Sequence, residues 1–149
     1  MDTRPAALRL GDTGRAMSQE NADVVRRQFR AFERDLDAMS AFWHPEIEWR
    51  AIEGAADDVG VMEGHNALRR YYEDWVSSFD QLRAEVDEIL FDADDRVAVS
   101  VRNSGRGRVS GVVTEGRYYV ACTVRDGQIV RGREYETRDQ ALEAVGLRE

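Results

Sequence analysis

Two glutamates near the end of the chain are the residues best suited to proton transfer. Side chains alternate along a strand, so Glu134 and Glu136 share one face of the last predicted strand. The opposite face carries Arg131, Arg133 and Tyr135. A glutamate in apolar surroundings acquires a raised pKa and can act as a general acid or base. The alternative is a pair at the rim, in solvent or bound to arginine. Glu134 is the stronger candidate because it lies farther from the strand end.

Aromatic residues from several predicted elements could line a site for a flat, hydrophobic ligand. Aromatic side chains bury large areas and stack on flat rings. Tyr72 adds a hydroxyl that can donate a hydrogen bond, so Glu134 and Tyr72 form the predicted catalytic pair. Ordinary core packing is the alternative for each of these rings. The rings predicted to contact the ligand are Phe32, Trp43, Trp49, Trp75 and Phe79.

Residue types for metal and nucleophilic chemistry are few. His44 precedes a proline and His65 follows a glycine, positions more typical of helix ends than of a metal site. Cys122, the single cysteine, lies among apolar neighbours in a predicted strand, where a buried and unreactive thiol is expected. No metal ion and no cofactor are therefore predicted.

Two charged segments each have two interpretations. The stretch from Arg102 to Arg108 contains three arginines and two glycines and could bind an anion, although a solvated turn is favoured. The acidic run from Glu53 to Asp58 is predicted to be a mobile loop, which by its position could also cover a cavity.

The composition is typical of one folded domain. The chain has 149 residues, of which 42% are hydrophobic and 34% charged. A net charge of −8 disfavours nucleic acid and anionic lipid as partners. All 21 basic residues are arginine, which excludes chemistry that needs a lysine, such as Schiff-base formation. Because no apolar run has the length of a membrane helix or the pattern of a secretory signal, a cytoplasmic location is expected.

Hydrophobic periodicity predicts an α+β fold. Residues 1–17 are predicted to be an extension, with Ser18 as the N-cap of the first helix, and a short helix over 6–10 is the alternative. A second helical turn carries Trp43 and ends at His44, before a proline. The remaining order predicts one curved antiparallel sheet under helices, whose concave face suits a small molecule. The predicted helices cover 21–36, 64–79 and 138–145, the strands cover 46–51, 82–92, 96–103, 109–125 and 128–136, and the last turns lie at 92–95, 104–107 and 125–127.

Six short phrases along the chain form an ordered set. They are His44-Pro45-Glu46-Ile47-Glu48-Trp49; Gly64 followed by Tyr71-Tyr72 and Trp75; Asp95-Arg96-Val97; Gly105 to Arg108 with Ser110-Gly111; Thr123 to Ile129; and Ala141 to Leu147. In this order they resemble the nuclear transport factor 2-like superfamily and, within it, the SnoaL-like branch. The resemblance covers about residues 20–147.

The resemblance implies a cone-shaped barrel, in which one curved, mostly antiparallel sheet wraps around helices and encloses an interior pocket. It also implies a homodimer packed through the sheet. The domain would occupy residues 18–149, with residues 1–17 as a flexible N-terminal extension. By the same resemblance Glu134, Tyr118 and Val120 point into the pocket, so Tyr118 and Val120 join the predicted ligand-binding residues.

The best-known catalytic residues of that superfamily have no counterpart in this sequence. In ketosteroid isomerases a tyrosine of the first helix would fall near residues 27–29, and an aspartate base would fall between Trp49 and Ala51. Neither residue type occurs there. A second acid, and the acid–base aspartate of SnoaL-like cyclases, would fall near Val120. The chain therefore resembles the scaffold and not these catalytic sets.

Two classes of function follow from these observations. The first is a pocket protein for a small hydrophobic molecule, acting as a cofactor-free acid–base enzyme of the isomerase, cyclase, dehydratase or epoxide hydrolase type. The second is a non-catalytic ligand-binding or dimeric interaction domain, which the missing carboxylates favour. Neither nucleic acid nor a membrane is expected as a partner.

Overall fold

The first helix begins before the predicted N-cap. The computed structural model describes residues 6–146, with side chains from residue 18 onward. Helix α1 runs from Ala6 to Phe32, so the predicted helix start at Ser18 is wrong, and the alternative helix over 6–10 forms the first part of α1. Alanine, leucine and arginine favour helix and extend it through two glycines. Residues 1–5 of the predicted extension lie outside the described residues, and the domain boundary after residue 17 stays a prediction.

A short helix and an early strand follow α1. Asp35 caps helix α2 (Leu36–Ser40), and its carboxylate accepts the backbone N–H of Ala38 at 2.6 Å. Strand β1 (Trp43–Arg50) comes next. The helical turn predicted through Trp43 is wrong at its end, because Trp43 pairs with Ile129 of a neighbouring strand. The inward residues of this segment are Ile47, Trp49 and Ala51, as the alternating pattern predicts.

Six strands form one curved sheet that is not closed into a full barrel. Their order is β2–β1–β6–β5–β4–β3, and each neighbouring pair is antiparallel except β1 and β6, which are parallel. The predicted α+β fold with a mostly antiparallel sheet is thus confirmed. The remaining strands are β2 (Val61–Glu63), β3 (Phe79–Ala93), β4 (Arg96–Gly107), β5 (Val113–Arg125) and β6 (Gln128–Tyr135).

Two features of the sheet differ from the sequence prediction. Strand β2 has only three residues, too few to show an alternating pattern. Strand β4 continues to Gly107, so the turn predicted at 104–107 is wrong, and the chain reverses between Gly107 and Val113. The hairpin at Asp126-Gly127 is confirmed, with φ of 52° and 77° at these two residues.

Two further helices flank the sheet on opposite faces. Helix α3 (Gly64–Ser78) buries Leu68, Tyr71 and Tyr72 in the main core, which it shares with α1 and the concave face. Helix α4 (Arg138–Ala144) has a capping box at its start and packs Ala141 in a small second core. Among the residues that the structure describes, no helix is long and apolar enough to cross a membrane.

Candidate functional site

Glu134 is the buried carboxylate at the centre of the candidate site. Its side chain on β6 is only 2% exposed. Trp49 donates its indole N–H to Oε2 at 2.8 Å, and the Tyr71 hydroxyl lies 3.0 Å from Oε1. Glu136 follows the end of β6 and is exposed. The structure therefore places Glu134 alone of the two glutamates among the aromatic side chains.

A glycine on β6 lets Trp49 reach the carboxylate. Trp49 and Gly132 are paired across the parallel strands β1 and β6. A Cβ at residue 132 would lie 2.9 Å from Cη2 of Trp49 and would overlap two other ring carbons. The indole ring thus occupies the space above Gly132, and its N–H points to Glu134 two residues farther along β6.

The pKa of Glu134 is raised to about 7, mainly because burial disfavours the charged carboxylate. The hydrogen bonds with Trp49 and Tyr71 lower the pKa of Glu134, and the negative charge of Asp57 raises it. A carboxyl group with this pKa exchanges its proton near neutral pH, which is the range in which a general acid or base works best.

Stability should fall as the pH rises through the range in which Glu134 ionises. The folded-state pKa of about 7 lies above the ordinary value of 4.5, so the folded protein holds a proton that the unfolded chain has already released. This contribution is complete below the ordinary pKa and is lost as the pH rises through about 7. We expect the free energy of unfolding, measured in urea, to decrease by about 2 kcal/mol from pH 5 to pH 8.

Two isosteric variants isolate the contribution of Glu134 to this slope. Glu134→Gln cannot ionise and should flatten the decrease, whereas Glu136→Gln neutralises an exposed carboxylate and should leave it in place. A slope that persists in Glu134→Gln would assign the pH dependence to other groups.

A second carboxylate, which sequence reasoning did not single out, lies beside Glu134. Asp57 belongs to the β1–β2 loop (residues 51–60). Its Oδ2 is 3.1 Å from the Tyr71 hydroxyl and 3.2 Å from the indole nitrogen of Trp75. Asp57 is only partly buried, so the loop joins the interior carboxylate to the surface.

Asp58 gives the β1–β2 loop its shape. Its carboxylate accepts the backbone N–H groups of Gly54 and Gly60 at 2.9 and 3.0 Å, and Arg50 donates to it at 3.1 Å. These hydrogen bonds hold the pKa of Asp58 at about 2. Asp58 therefore fixes the loop from outside, while its neighbour Asp57 points to Tyr71.

Most of the predicted ligand-binding rings come together around Tyr72. Its ring centroid is 5.5 Å from Phe32 and 6.0 Å from Trp75, and Trp75 lies 6.1 Å from Tyr118. Val120, which is fully buried, pairs with Glu134 across β5 and β6. The aromatic cluster, as we call it, consists of Phe32, Trp43, Trp49, Tyr71, Tyr72, Trp75 and Tyr118.

Tyr71, rather than Tyr72, is hydrogen-bonded to the Glu134 carboxyl group in this structure. The hydroxyl groups of Tyr72 and Tyr118 are buried without a hydrogen-bond partner. Both residues lie near Glu134, whose charge contributes to raising their pKa, although burial is the larger cause. The catalytic role predicted for Tyr72 therefore stays a prediction. An i, i+4 pairing of Tyr71 with Trp75 was the available signal for Tyr71.

Phe79 and His44 lie outside this arrangement, whereas the His65 ring packs edge-on against Trp43, with ring centroids 5.4 Å apart. Phe79, at the start of β3, packs at Gly105, and within the described part of the chain no ring contact joins it to the aromatic cluster. His65 bonds the backbone oxygen of Trp43 at 3.1 Å, and His44 Nδ1 accepts a backbone N–H. The described residues contain no cluster of three potential metal ligands.

The thiol and the arginines have structural contacts. Burial raises the pKa of Cys122 to about 12, so its thiol is neutral. Arg102 and Arg117 pair with Asp87, and Arg108 pairs with Asp80. These ion pairs give the arginines acidic partners on the protein itself, but the stretch up to Gly107 is part of strand β4 and not the predicted solvated turn.

A large cleft on the surface lies apart from Glu134. Its volume is about 780 Å³, and it opens between residues 18–21 of α1 and the turns at Asp94 and Asp126. Its lining has no aromatic ring. The residues suited to chemistry therefore lie in the aromatic cluster and not in this cleft.

The family model of the SnoaL-like domain matches residues 25–132, and the chain belongs to this family. The matched range includes Trp49, Asp57 and Tyr71 and ends two residues before Glu134. A comparison with curated protein sequences finds no significant match.

Solved structures share the fold at low sequence identity. A nuclear transport factor 2-like protein from Burkholderia thailandensis is 26% identical, with a TM-score of 0.69 over 82% of this chain and 96% of that one. TerC, crystallised with polyporic acid, is 20% identical, with a TM-score of 0.68 over 83% and 96%. A putative polyketide cyclase from Xanthomonas campestris is 23% identical, with a TM-score of 0.65 over 86% and 98%.

Proposed function

We propose that the chain binds a flat, hydrophobic small molecule that carries an oxygen atom, and that Glu134 moves a proton on it without a cofactor. The observation that carries this proposal is a buried carboxyl group with a pKa of about 7 inside an aromatic cluster. Aromatic side chains supply the apolar contact, and a group that titrates near neutrality supplies proton transfer.

The unpartnered hydroxyls support a ligand oxygen at this site. A buried hydroxyl without a hydrogen bond costs about 1–3 kcal/mol, because it has lost water and gained no partner. Tyr72 and Tyr118 both carry such a group. An oxygen of the ligand that accepts from them would recover this cost, and it would be held beside Glu134.

Entry of the ligand requires a local opening. Trp49 and Tyr72 are each only 1% exposed. The β1–β2 loop contacts the aromatic cluster through the hydrogen bonds that Asp57 accepts from Tyr71 and Trp75. Displacement of this loop, without any change in the sheet, would uncover the Trp75 side of the cluster.

The reaction classes compatible with one buried acid–base group are isomerisation, cyclisation, dehydration and epoxide opening. In each, Glu134 would take or give one proton while Tyr72 or Tyr118 donates to an oxygen on which negative charge develops. The similar structure of TerC was determined with polyporic acid, so polyporic acid is a further compound to test for binding to this site. The homodimer and the cytoplasmic location stay predictions.

A non-catalytic binding or interaction domain is the second candidate. Tight packing among the aromatic rings favours it. The ring centroid of Tyr72 lies 6.2 Å from that of Trp43 and 6.5 Å from that of Trp49. Val120 at the position of the family's second acid also favours it.

Binding can be tested with two probes that differ by one hydroxyl. We expect 2-naphthol to bind roughly 5- to 10-fold more tightly than naphthalene, since its oxygen can pair with the unpartnered tyrosines. The measurement is a titration of the indole N–H signals of the labelled protein by NMR, in which the signal of Trp49 should move.

Variants then assign the preference to particular hydroxyls. The double variant Tyr72→Phe, Tyr118→Phe removes two groups that have no partner in the protein, so the fold should persist. It should bind both probes equally, whereas Tyr119→Phe, on the opposite face of β5, should keep the preference for 2-naphthol. Absence of binding by either probe, or a preference that survives the double variant, would contradict the proposal.

A further inference from the structure

One hydroxyl hydrogen lies between two carboxyl groups. The Tyr71 oxygen is 3.0 Å from Glu134 Oε1 and 3.1 Å from Asp57 Oδ2. A phenol has a single hydrogen to donate, and an ionised carboxylate has none. Both contacts are hydrogen bonds only if one carboxyl group is protonated and donates to the Tyr71 oxygen. The two carboxyl groups therefore share one proton through Tyr71.

Two tryptophans show which oxygen carries that proton. An indole N–H can only donate, so its partner oxygen must accept. Trp49 donates to Oε2 of Glu134, which leaves Oε1 as the oxygen that faces Tyr71 with a proton. Trp75 donates to Oδ2 of Asp57, the same atom that faces the Tyr71 hydrogen.

The surroundings restrict proton exchange to Asp57, Tyr71 and Glu134. The titratable groups that act on Glu134 from the elements around it are Asp57 of the β1–β2 loop, Tyr71 and Tyr72 of α3, and Tyr118 and Cys122 of β5. Burial raises the pKa of each of these phenols and of the thiol, so all four stay neutral near pH 7. Of these groups, only Asp57 offers a second carboxylate, and it is partly exposed.

We propose that Asp57, Tyr71 and Glu134 form a proton relay between the buried site and solvent. This inference deepens the proposed function and rests on Glu134 being the acid–base group. In the outward direction, the Oε1 proton of Glu134 moves to the Tyr71 oxygen as the Tyr71 hydrogen moves to Asp57. Asp57 then releases that proton to water. Tyr71 is neutral before and after, Glu134 becomes ionised, and the reverse sequence protonates it again. Asp57 is thus a positioning and relay residue, not a group that contacts substrate.

The three tryptophans provide a test that needs no ligand. The indole N–H of Trp43 donates to Gln28, that of Trp49 to Glu134 and that of Trp75 to Asp57. In a pH titration by NMR, the indole N–H signals of Trp49 and Trp75 should move with one common midpoint near pH 7. The Trp43 signal should not share that midpoint, because its indole N–H donates to a neutral amide and to neither carboxyl group. Each signal should appear as a single averaged peak, since the relay makes exchange fast.

Variants separate a relay from a structural role. Asp57→Asn keeps the size and an acceptor oxygen but cannot pass the proton. We expect it to lower the Trp49 midpoint by roughly half a pH unit or more, through loss of a negative charge, and to broaden or split the Trp49 peak. Tyr71→Phe should abolish the response of Trp75 near pH 7. Glu53→Gln is the control, because Glu53 is a carboxylate of the same loop that pairs outward with Arg133. It should leave the Trp49 midpoint, the shape of the Trp49 peak and the Trp75 response unchanged.

The outcomes distinguish the relay from the proposed function. A flat Trp75 signal near pH 7 in the unsubstituted protein, or an unchanged Trp49 peak in Asp57→Asn, would overturn the relay even if 2-naphthol binds. A common midpoint that shifts and broadens as expected would support the relay even if 2-naphthol does not bind.

Discussion

Glu134→Gln is expected to slow the base-catalysed opening of 5-nitrobenzisoxazole by at least about 10²-fold. This flat aromatic probe has one acidic C–H. A carboxylate removes that proton while the N–O bond breaks, which gives a coloured nitrophenolate. Glu134 is suited to this reaction because a carboxylate in apolar surroundings is a stronger base than one in water. The initial rate follows from absorbance, with the reaction in buffer alone subtracted.

The pH profile of the same reaction identifies the base. The ionised form of Glu134 is the reactive one, so the rate should rise through a midpoint near pH 7 and then level off. Glu136→Gln is the matched control, because this exposed glutamate lies on the same segment and should not contribute. A rate that Glu134→Gln leaves unchanged would remove Glu134 from any acid–base mechanism.

Alternation places Glu134 and Glu136 on one face of the last strand, and the family resemblance implies that this face looks inward. Glu134 and Val120 occupy paired positions of β6 and β5, and both are buried. Glu136 shares the parity of Glu134, but β6 ends at Tyr135, and the chain leaves the sheet before that carboxylate could turn inward. Parity therefore predicts a face only as far as the strand continues.

Asp57 was not predictable from periodicity. Its direction depends on the β1–β2 loop, whose shape is set by the hydrogen bonds of Asp58 to Gly54, Gly60 and Arg50. Such bonds join particular atoms and leave no repeating pattern in the sequence. The acidic run indicated a loop that could cover a cavity, but not which of its carboxylates would point inward.

The choice between two adjacent tyrosines depends on tertiary geometry. Tyr71 and Tyr72 are both buried on α3, as the helical spacing predicts. Their side chains point about 100° apart around the helix, so the angle at which α3 crosses the sheet decides which hydroxyl meets Glu134. Similarly, Trp43 belongs to β1 rather than to a helical turn because of its pairing with β6, a contact distant in sequence.

Gly132→Ala is expected to destabilise the protein by about 3 kcal/mol or more, because the new methyl group overlaps the Trp49 ring. Strand β6 is flanked on both sides by β1 and β5, so the backbone cannot easily move away. The indole must shift instead, and a shift breaks its hydrogen bond to Glu134. An indole N–H and a carboxyl oxygen then lose their partner inside the core. Urea denaturation measures the change in the free energy of unfolding.

A double-mutant cycle assigns this cost to the contact with Trp49. In a Trp49→Leu background the space above Gly132 is partly vacant, so Gly132→Ala should cost much less there than in the unsubstituted protein. Gly116→Ala on β5 is the matched glycine control. Its new Cβ would lie 3.2 Å from the side-chain oxygen of Asn103, which can move, so a change within about 0.5 kcal/mol is expected. Equal costs of Gly132→Ala in both backgrounds would mean that the backbone of β6, rather than the indole of Trp49, requires glycine. The link from Gly132 through Trp49 to Glu134 would then be lost.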